Sequence, residues 1–118
     1  MTEPIFDHDR LDVYRLSIDY VAQSFAVAKE LNGLHRHARD QWLRAAQSIP
    51  LNIAEGNGKR QQQTRAKFFD DARGSTSESA ACLDALVARG VCSPPRVVDG
   101  KQMLQRVFPM LTKLVPAI

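Results

Sequence analysis

The chain has 118 residues, a formal net charge of +3 at pH 7 and 44% hydrophobic residues. This length suits one domain with a single core, and the hydrophobic content argues against disorder. The first ten residues lack the apolar segment of a signal peptide, and no apolar run approaches the roughly 20 residues of a membrane span. Cys82 and Cys92 do not form a C-x-x-C motif. We therefore expect a cytoplasmic protein with reduced thiols and no membrane partner.

Helix 1 is predicted to start between Asp7 and Arg10, after a short tail over residues 1–9. An apolar set that steps by three and four predicts a seam facing the bundle: Leu11, Tyr14, Ile18, Val21, Phe25 and Ala28. A second apolar set lies on another face, and a helix that contacts only its own bundle does not need both. We predict that the second set contacts another subunit, with burial beneath a long loop as the alternative. Its interface residues are Val13, Leu16, Tyr20 and Val27.

Helix 2 is predicted to continue through a proline. Its apolar face carries Trp42, Ile49 and Ile53 at helical spacing. Pro50 has no N–H to donate to the carbonyl of Ala46, which predicts a kink at this position. Because apolar positions recur on both sides of Pro50, we expect the helix to bend there and not to end.

Two more helical patterns complete the predicted fold. Helix 3 has a seam in steps of four and three, formed by Phe68, Ala72, Ser75, Ser79, Cys82 and Leu86. Helix 4 follows Ser93-Pro94-Pro95, which is typical of an N-cap with proline at the first helical position. The connections fall near residues 32–34, 57–62 and 90–94. The sequence therefore predicts an all-α fold, an antiparallel up-down-up-down four-helix bundle that occupies residues 1–118 as one domain.

No catalytic or metal-binding pattern is found in the sequence. None of the three histidines follows a glutamate by three residues, as the ligands of a di-metal site in a helical bundle would. Gly56-Asn57-Gly58-Lys59 lacks the first glycine and the Ser or Thr of a phosphate loop, so we reject a nucleotide site. Cys82 is interpreted as a small core residue. We predict a protein that is not an enzyme and uses no cofactor or metal.

Basic residues are the main indication of function. We interpret seven of them as a nucleic-acid-binding surface: Arg36, Arg39, Arg44, Lys59, Arg60, Arg65 and Lys67. Contacts from such side chains to phosphates add affinity that is sensitive to salt and independent of base sequence. The aromatic residues fall on the predicted seams, which leaves no platform for stacking bases. A solvated charged face is the alternative interpretation of the same pattern.

Polar residues also recur along one side of helix 2. Four of them are spaced three or four residues apart, which places them at the edge of the apolar face: Arg44, Ser48, Asn52 and Glu55. Partly buried polar groups must be hydrogen-bonded. We expect Asn52 to donate to the carbonyl freed by Pro50, and Glu55 to pair with Arg60 or with a basic residue of another chain. This network is predicted to be structural.

Two motifs lie in this region: Ser48-Ile49-Pro50-Leu51-Asn52-Ile53-Ala54-Glu55-Gly56 and, further along, Ala72-Arg73-Gly74-Ser75 with Glu78. Together with Arg60 they resemble the four-helix-bundle family of 23S rRNA intervening-sequence proteins, and the resemblance extends from about Phe6 to Leu114. Carried over residue by residue, it implies a structural role in the fold or the assembly for Ser48, Pro50, Asn52, Glu55, Gly56, Arg73, Gly74, Ser75 and Glu78.

The resemblance implies a protomer that assembles as a homopentamer, in agreement with the surplus apolar face of helix 1. The accessory proteins of diversity-generating retroelements look like relatives of this family, and they are pentameric bundles that bind nucleic acid and a reverse transcriptase. Our first hypothesis is therefore a homopentamer that binds RNA or DNA, with a reverse transcriptase or another protein as a further partner. The alternative is a structural scaffold that binds a protein partner and no nucleic acid.

Overall fold

The computed structural model describes residues 6–31 and 33–115, and in these ranges the chain forms helices and no strand. The four long helices are α1 (Asp12–Ala28), α2 (Arg36–Gly58), α3 (Gln62–Ala88) and α4 (Pro94–Leu114), and two short 3-10 helices cover Asp7–Arg10 and Gly33–His35. Residues 1–5 of the predicted tail and residue 32 of the first connection lie outside the described residues. Helix α1 begins later than predicted, because the extended backbone of Leu11 separates it from the first 3-10 helix.

Neighbouring helices pack against each other, and α1 also contacts α4, which closes the bundle. Two contacts show how α2 and α3 run past each other: Ser48 of α2 is hydrogen-bonded to Ser75 of α3, and Gly56 of α2 lies against Phe69 of α3. Residue numbers rise along one helix as they fall along the other, as expected of antiparallel neighbours. The predicted all-α four-helix bundle is confirmed. Helix α2 continues through Pro50 to Gly58, and the bend at this proline stays a prediction.

The buried face of α1 is the one predicted to contact another subunit. Val13, Tyr20 and Val27 are at most 7% exposed in the protomer, and Leu16 is half-buried. The structure therefore contradicts the interface prediction for the first three, whose side chains belong to the protomer's own core. The two serines at positions 17 and 24 explain the error, because both are fully buried and complete a regular seam with these three residues. A pattern that counts only apolar residues does not detect this seam.

The set predicted to face the bundle is buried only in part: Ala28 is 3% exposed, and Leu11 and Tyr14 pack against the core. Ile18 is 40% exposed and Phe25 is 38% exposed, while Tyr14 and Val21 are half-buried. Helix α1 thus leaves apolar side chains on the surface of the protomer, as predicted, but on the other face.

In α3 the buried seam is displaced by one residue at three positions. Phe69, Thr76 and Leu83 are at most 2% exposed, whereas the predicted Phe68, Ser75 and Cys82 are half-buried. The predicted Ala72, Ser79 and Leu86 are all buried. Both choices step by three and four, so the periodicity does not distinguish them. The hydroxyl of Thr76 can be buried because it donates to the carbonyl of Ala72 at 2.8 Å.

A hydrogen-bonded group in the core connects α1, α2 and α3. Trp42 Nε1 donates to the hydroxyl of Tyr20 at 3.1 Å, and this hydroxyl also bonds to Ser79 Oγ. Burial raises the pKa of Tyr20 above its usual value, although its hydrogen bonds with Ser79 and Trp42 act in the opposite direction. Tyr20 therefore remains neutral at physiological pH, and its hydroxyl holds three helices in register.

Candidate nucleic-acid interface

The turn between α2 and α3 is held by a basic side chain. Helix α2 ends at Gly58 and α3 begins at Gln62, so residues 59–61 make the turn. Arg65 Nη1 donates to the carbonyl oxygens of Asn57 and Lys59, at 2.8 and 3.1 Å. Carbonyl groups at the end of a helix lack intrahelical partners, and Arg65 satisfies them. The guanidinium of Arg65 is thus engaged within the protomer.

Two lysines lie beside one aromatic ring at this turn. Lys59 Nζ and Lys67 Nζ are each 5.5 Å from the centroid of the Phe68 ring, a distance at which a cation is attracted to the ring. Phe68 is half-buried and Lys67 is exposed. Arg60 is also exposed, between these lysines in sequence. We call Lys59, Arg60, Arg65, Lys67 and Phe68 the turn cluster.

Within residues 55–67 the turn cluster has one acidic side chain, and the carboxylate of Asp7 also lies at the turn, where it accepts a hydrogen bond from Asn57 Nδ2 at 3.0 Å. Lys59 Nζ lies 3.5 Å from a carboxylate oxygen of Glu55, instead of the predicted pairing between Glu55 and Arg60. Both partners are largely exposed, and such a pair contributes little because water and salt screen it. Residues 55–67 contain four basic side chains and one acidic side chain, a net charge of +3.

The remaining predicted basic residues lie elsewhere on α2. Arg36 and Arg44 are exposed, while Arg39 is half-buried and its Nε lies 3.3 Å from a carboxylate oxygen of Asp40. Arg36 precedes Lys59 by 23 residues, which corresponds to roughly 35 Å along the helix at 1.5 Å per residue. The structure therefore divides the predicted basic surface into two separate groups.

The polar residues of α2 form a network that connects to α3. Asn52 Nδ2 donates to the carbonyl oxygen and to Oγ of Ser48, each at 2.9 Å. Ser75 Oγ donates to Ser48 Oγ at 2.8 Å. The partner of Asn52 is thus Ser48, and not the carbonyl of Ala46 that Pro50 was expected to free. This network joins the two sequence motifs, one on each helix.

Three other motif residues lie on α3. Arg73 Nη1 is 3.3 Å from a carboxylate oxygen of Asp70, and the Arg73 guanidinium lies 5.0 Å from the centroid of the Phe108 ring. Gly74 and Glu78 are exposed. Arg73 therefore bridges α3 and α4, which fits a structural role.

These two motifs fall within one long match to a known family. The sequence profile of the 23S rRNA-intervening sequence proteins matches residues 9–113. The chain belongs to this family. No curated protein matches the chain. A protein of unknown function from the S23 ribosomal protein family of Bacteroides thetaiotaomicron VPI-5482, with a crystal structure at 1.70 Å resolution, has a similar fold. The match has a TM-score of 0.78 and 15% identity, and it covers 89% of this chain and 99% of that one.

This member of the 23S rRNA-intervening sequence protein family also has a shallow groove between α2 and α3. The groove has a volume of about 260 Å³, and Gln41, Glu78, Cys82 and Arg89 are among its lining residues. Burial raises the pKa of Cys82, and the negative charge of Glu78 acts in the same direction. The thiol is therefore protonated at neutral pH, a poor state for a nucleophile.

Across residues 6–31 and 33–115, no three His, Cys, Asp or Glu side chains are grouped so that they could hold a metal ion. Over the same ranges, no helix has both the length and the apolar character needed to cross a membrane.

Proposed function

We propose that this protein is a non-enzymatic homo-oligomer that binds RNA or DNA through the turn cluster. The observation that carries the proposal is the concentration of basic side chains at one turn, with exposed Arg60 and Lys67 and a net charge of +3 over residues 55–67. Such a surface attracts phosphates and displaces their counterions, which gives affinity independent of base sequence.

The turn cluster is favoured over the other basic group of α2. Residues 35–44 contain three basic side chains and one acidic side chain, and Arg39 is paired with that acidic residue, Asp40. Only Arg36 and Arg44 in this range are basic and exposed. We propose that they contribute a weaker, peripheral contact.

The proposal is tested by salt-titrated binding of a fluorescently labelled oligonucleotide to the purified protein. The double variant Arg60→Gln and Lys67→Gln is expected to weaken binding about tenfold, because two phosphate contacts are lost. The slope of log affinity against log salt should fall by roughly 1.5. The variant Arg36→Gln and Arg44→Gln loses the same charge and is expected to change affinity less. Absence of binding at low salt would refute the proposed function.

The homo-oligomer, for which we propose five subunits, rests on the apolar residues that α1 leaves exposed. Ile18 and Phe25 are seven residues apart and therefore lie on one face of the helix, with half-buried Val21 between them. This face is flanked by exposed Ala22 and Ala26, whose small side chains permit close approach of another helix. A second copy of the chain would remove these side chains from water.

Light scattering of the eluted protein tests the assembly. The wild-type protein is expected at five times the protomer mass of 13.2 kDa. The double variant Ile18→Lys and Phe25→Lys should elute as a protomer, because it would bury two unpaired charges in the interface. Leu34→Lys is the control, since Leu34 is 86% exposed and lies outside this face. A wild-type protomer at micromolar concentration would contradict the assembly.

The same exposed apolar residues support an alternative proposal, a scaffold that binds a reverse transcriptase or another protein. This function is favoured if the purified protein binds no oligonucleotide at low salt but retains the partner protein in a pull-down, and if Ile18→Lys abolishes that retention.

A further inference from the structure

The aromatic ring of the turn cluster has a place in the proposed function that the sequence did not predict. Phe68 was assigned to the buried seam of α3, but Phe69 takes that position and is 2% exposed. Phe68 is instead half-buried near the beginning of α3, and the ammonium groups of Lys59 and Lys67 lie over its ring. Bases of an unpaired strand stack on such rings, whereas the bases of a duplex are already stacked on each other.

A surface depression shares the side chain of Lys59 with this ring. It has a volume of about 470 Å³ and is lined by Leu51, Ala54, Glu55, Gly58 and Lys59. Leu51 is 65% exposed and supplies apolar surface to the depression. Lys59 belongs to both features, because it lines the depression and its Nζ lies beside the Phe68 ring. An apolar surface and an aromatic ring are thus joined by one basic side chain.

The charges around these two features match an extended polyanion. Lys59 and Lys67 supply positive charge at the ring, exposed Arg60 follows Lys59 in the chain, and Glu55 is the acidic residue that lines the depression. The carboxylate of Glu55 repels phosphate, so the backbone of a bound strand is expected to follow the lysines. A carboxylate also accepts hydrogen bonds from the exocyclic amino groups of bases. The depression therefore fits a base better than a phosphate.

We infer that the turn cluster selects single-stranded nucleic acid, with one base stacked on Phe68 in place of a lysine ammonium group and the neighbouring base against Leu51. Lys59, Arg60 and Lys67 contact the phosphates that flank these bases. This inference rests on the proposed function, because it concerns the strand type bound at the same site. A duplex can contact the basic side chains, but its bases are already stacked on each other and cannot stack on the ring.

The test compares three labelled probes of mixed sequence at matched salt concentrations: a single-stranded RNA, a single-stranded DNA and a DNA duplex. The wild-type protein is expected to bind the single strands about tenfold more tightly than the duplex. Phe68→Leu should weaken single-strand binding about tenfold and leave the salt slope unchanged, because stacking releases no counterions. Phe68→Tyr keeps an aromatic ring and should preserve the affinity.

Phe108→Leu is the matched control, since Phe108 is also half-buried beside a basic side chain but lies on α4. It should not change binding, and circular dichroism of each variant verifies that the bundle is folded. Equal affinity for duplex and single strand, or an unchanged affinity in Phe68→Leu, would overturn the inference and leave the proposed function standing. Absence of binding to all three probes at low salt would overturn both.

Discussion

Replacing Trp42 with alanine is expected to lower the free energy of unfolding by about 3–5 kcal/mol. Trp42 is 1% exposed and is among the largest fully buried side chains. Its removal leaves a cavity between helices that are too well packed to collapse into it. The substitution also removes the donor that bonds to the hydroxyl of Tyr20 at 3.1 Å, although that hydroxyl retains Ser79 as a partner. Most of the loss should therefore come from the cavity.

Urea unfolding followed by circular dichroism measures this effect. Val98→Ala is the control, because Val98 is 46% exposed on α4 and its truncation should change stability by less than about 0.5 kcal/mol. A Trp42→Ala loss no larger than the control would contradict the placement of Trp42 in the core.

Two glycines inside helices are expected to respond to alanine with opposite signs. A Cβ atom at Gly56 would lie 3.0 Å from Phe69 Cε1 and 3.1 Å from Phe68 Cβ, closer than ordinary contacts. Because Phe69 is buried and cannot move away, Gly56→Ala is expected to lower stability by about 1–3 kcal/mol through overpacking. A Cβ at Gly74 would have no neighbour within 4 Å. Gly74→Ala is therefore expected to raise stability by about 0.5–1 kcal/mol.

The two variants serve as controls for each other, because the chemical change is the same and both positions are helical. Thermal and urea unfolding of both proteins measure the difference. Stabilisation by Gly56→Ala would show that α2 and α3 are further apart at this point than described. Destabilisation by Gly74→Ala would show that something approaches Gly74 closely in solution.

The two sequence motifs illustrate how much of the site the sequence could predict. Their spacing placed Ser48 and Asn52 on one side of α2 and indicated that they would be hydrogen-bonded. The hydrogen bond from Ser75 to Ser48 could not be predicted, because it depends on the register between α2 and α3. The bonds from Arg65 to the end of α2 could not be predicted for the same reason, since they form only when the turn is in place.

The sequence by itself determined the four helices, their order and their short connections, because helical periodicity, glycine and proline act over a few neighbouring residues. The predicted apolar face of α2 is the buried one, but only the tertiary structure decided which face of α1 and of α3 is buried. In α1, two serines complete the buried seam and large apolar residues remain outside, because the packing of neighbouring helices selects small side chains there. In α3, Phe68 and Phe69 are adjacent and chemically identical. Their packing against α2 alone makes one a core residue and leaves the other beside the lysines of the turn.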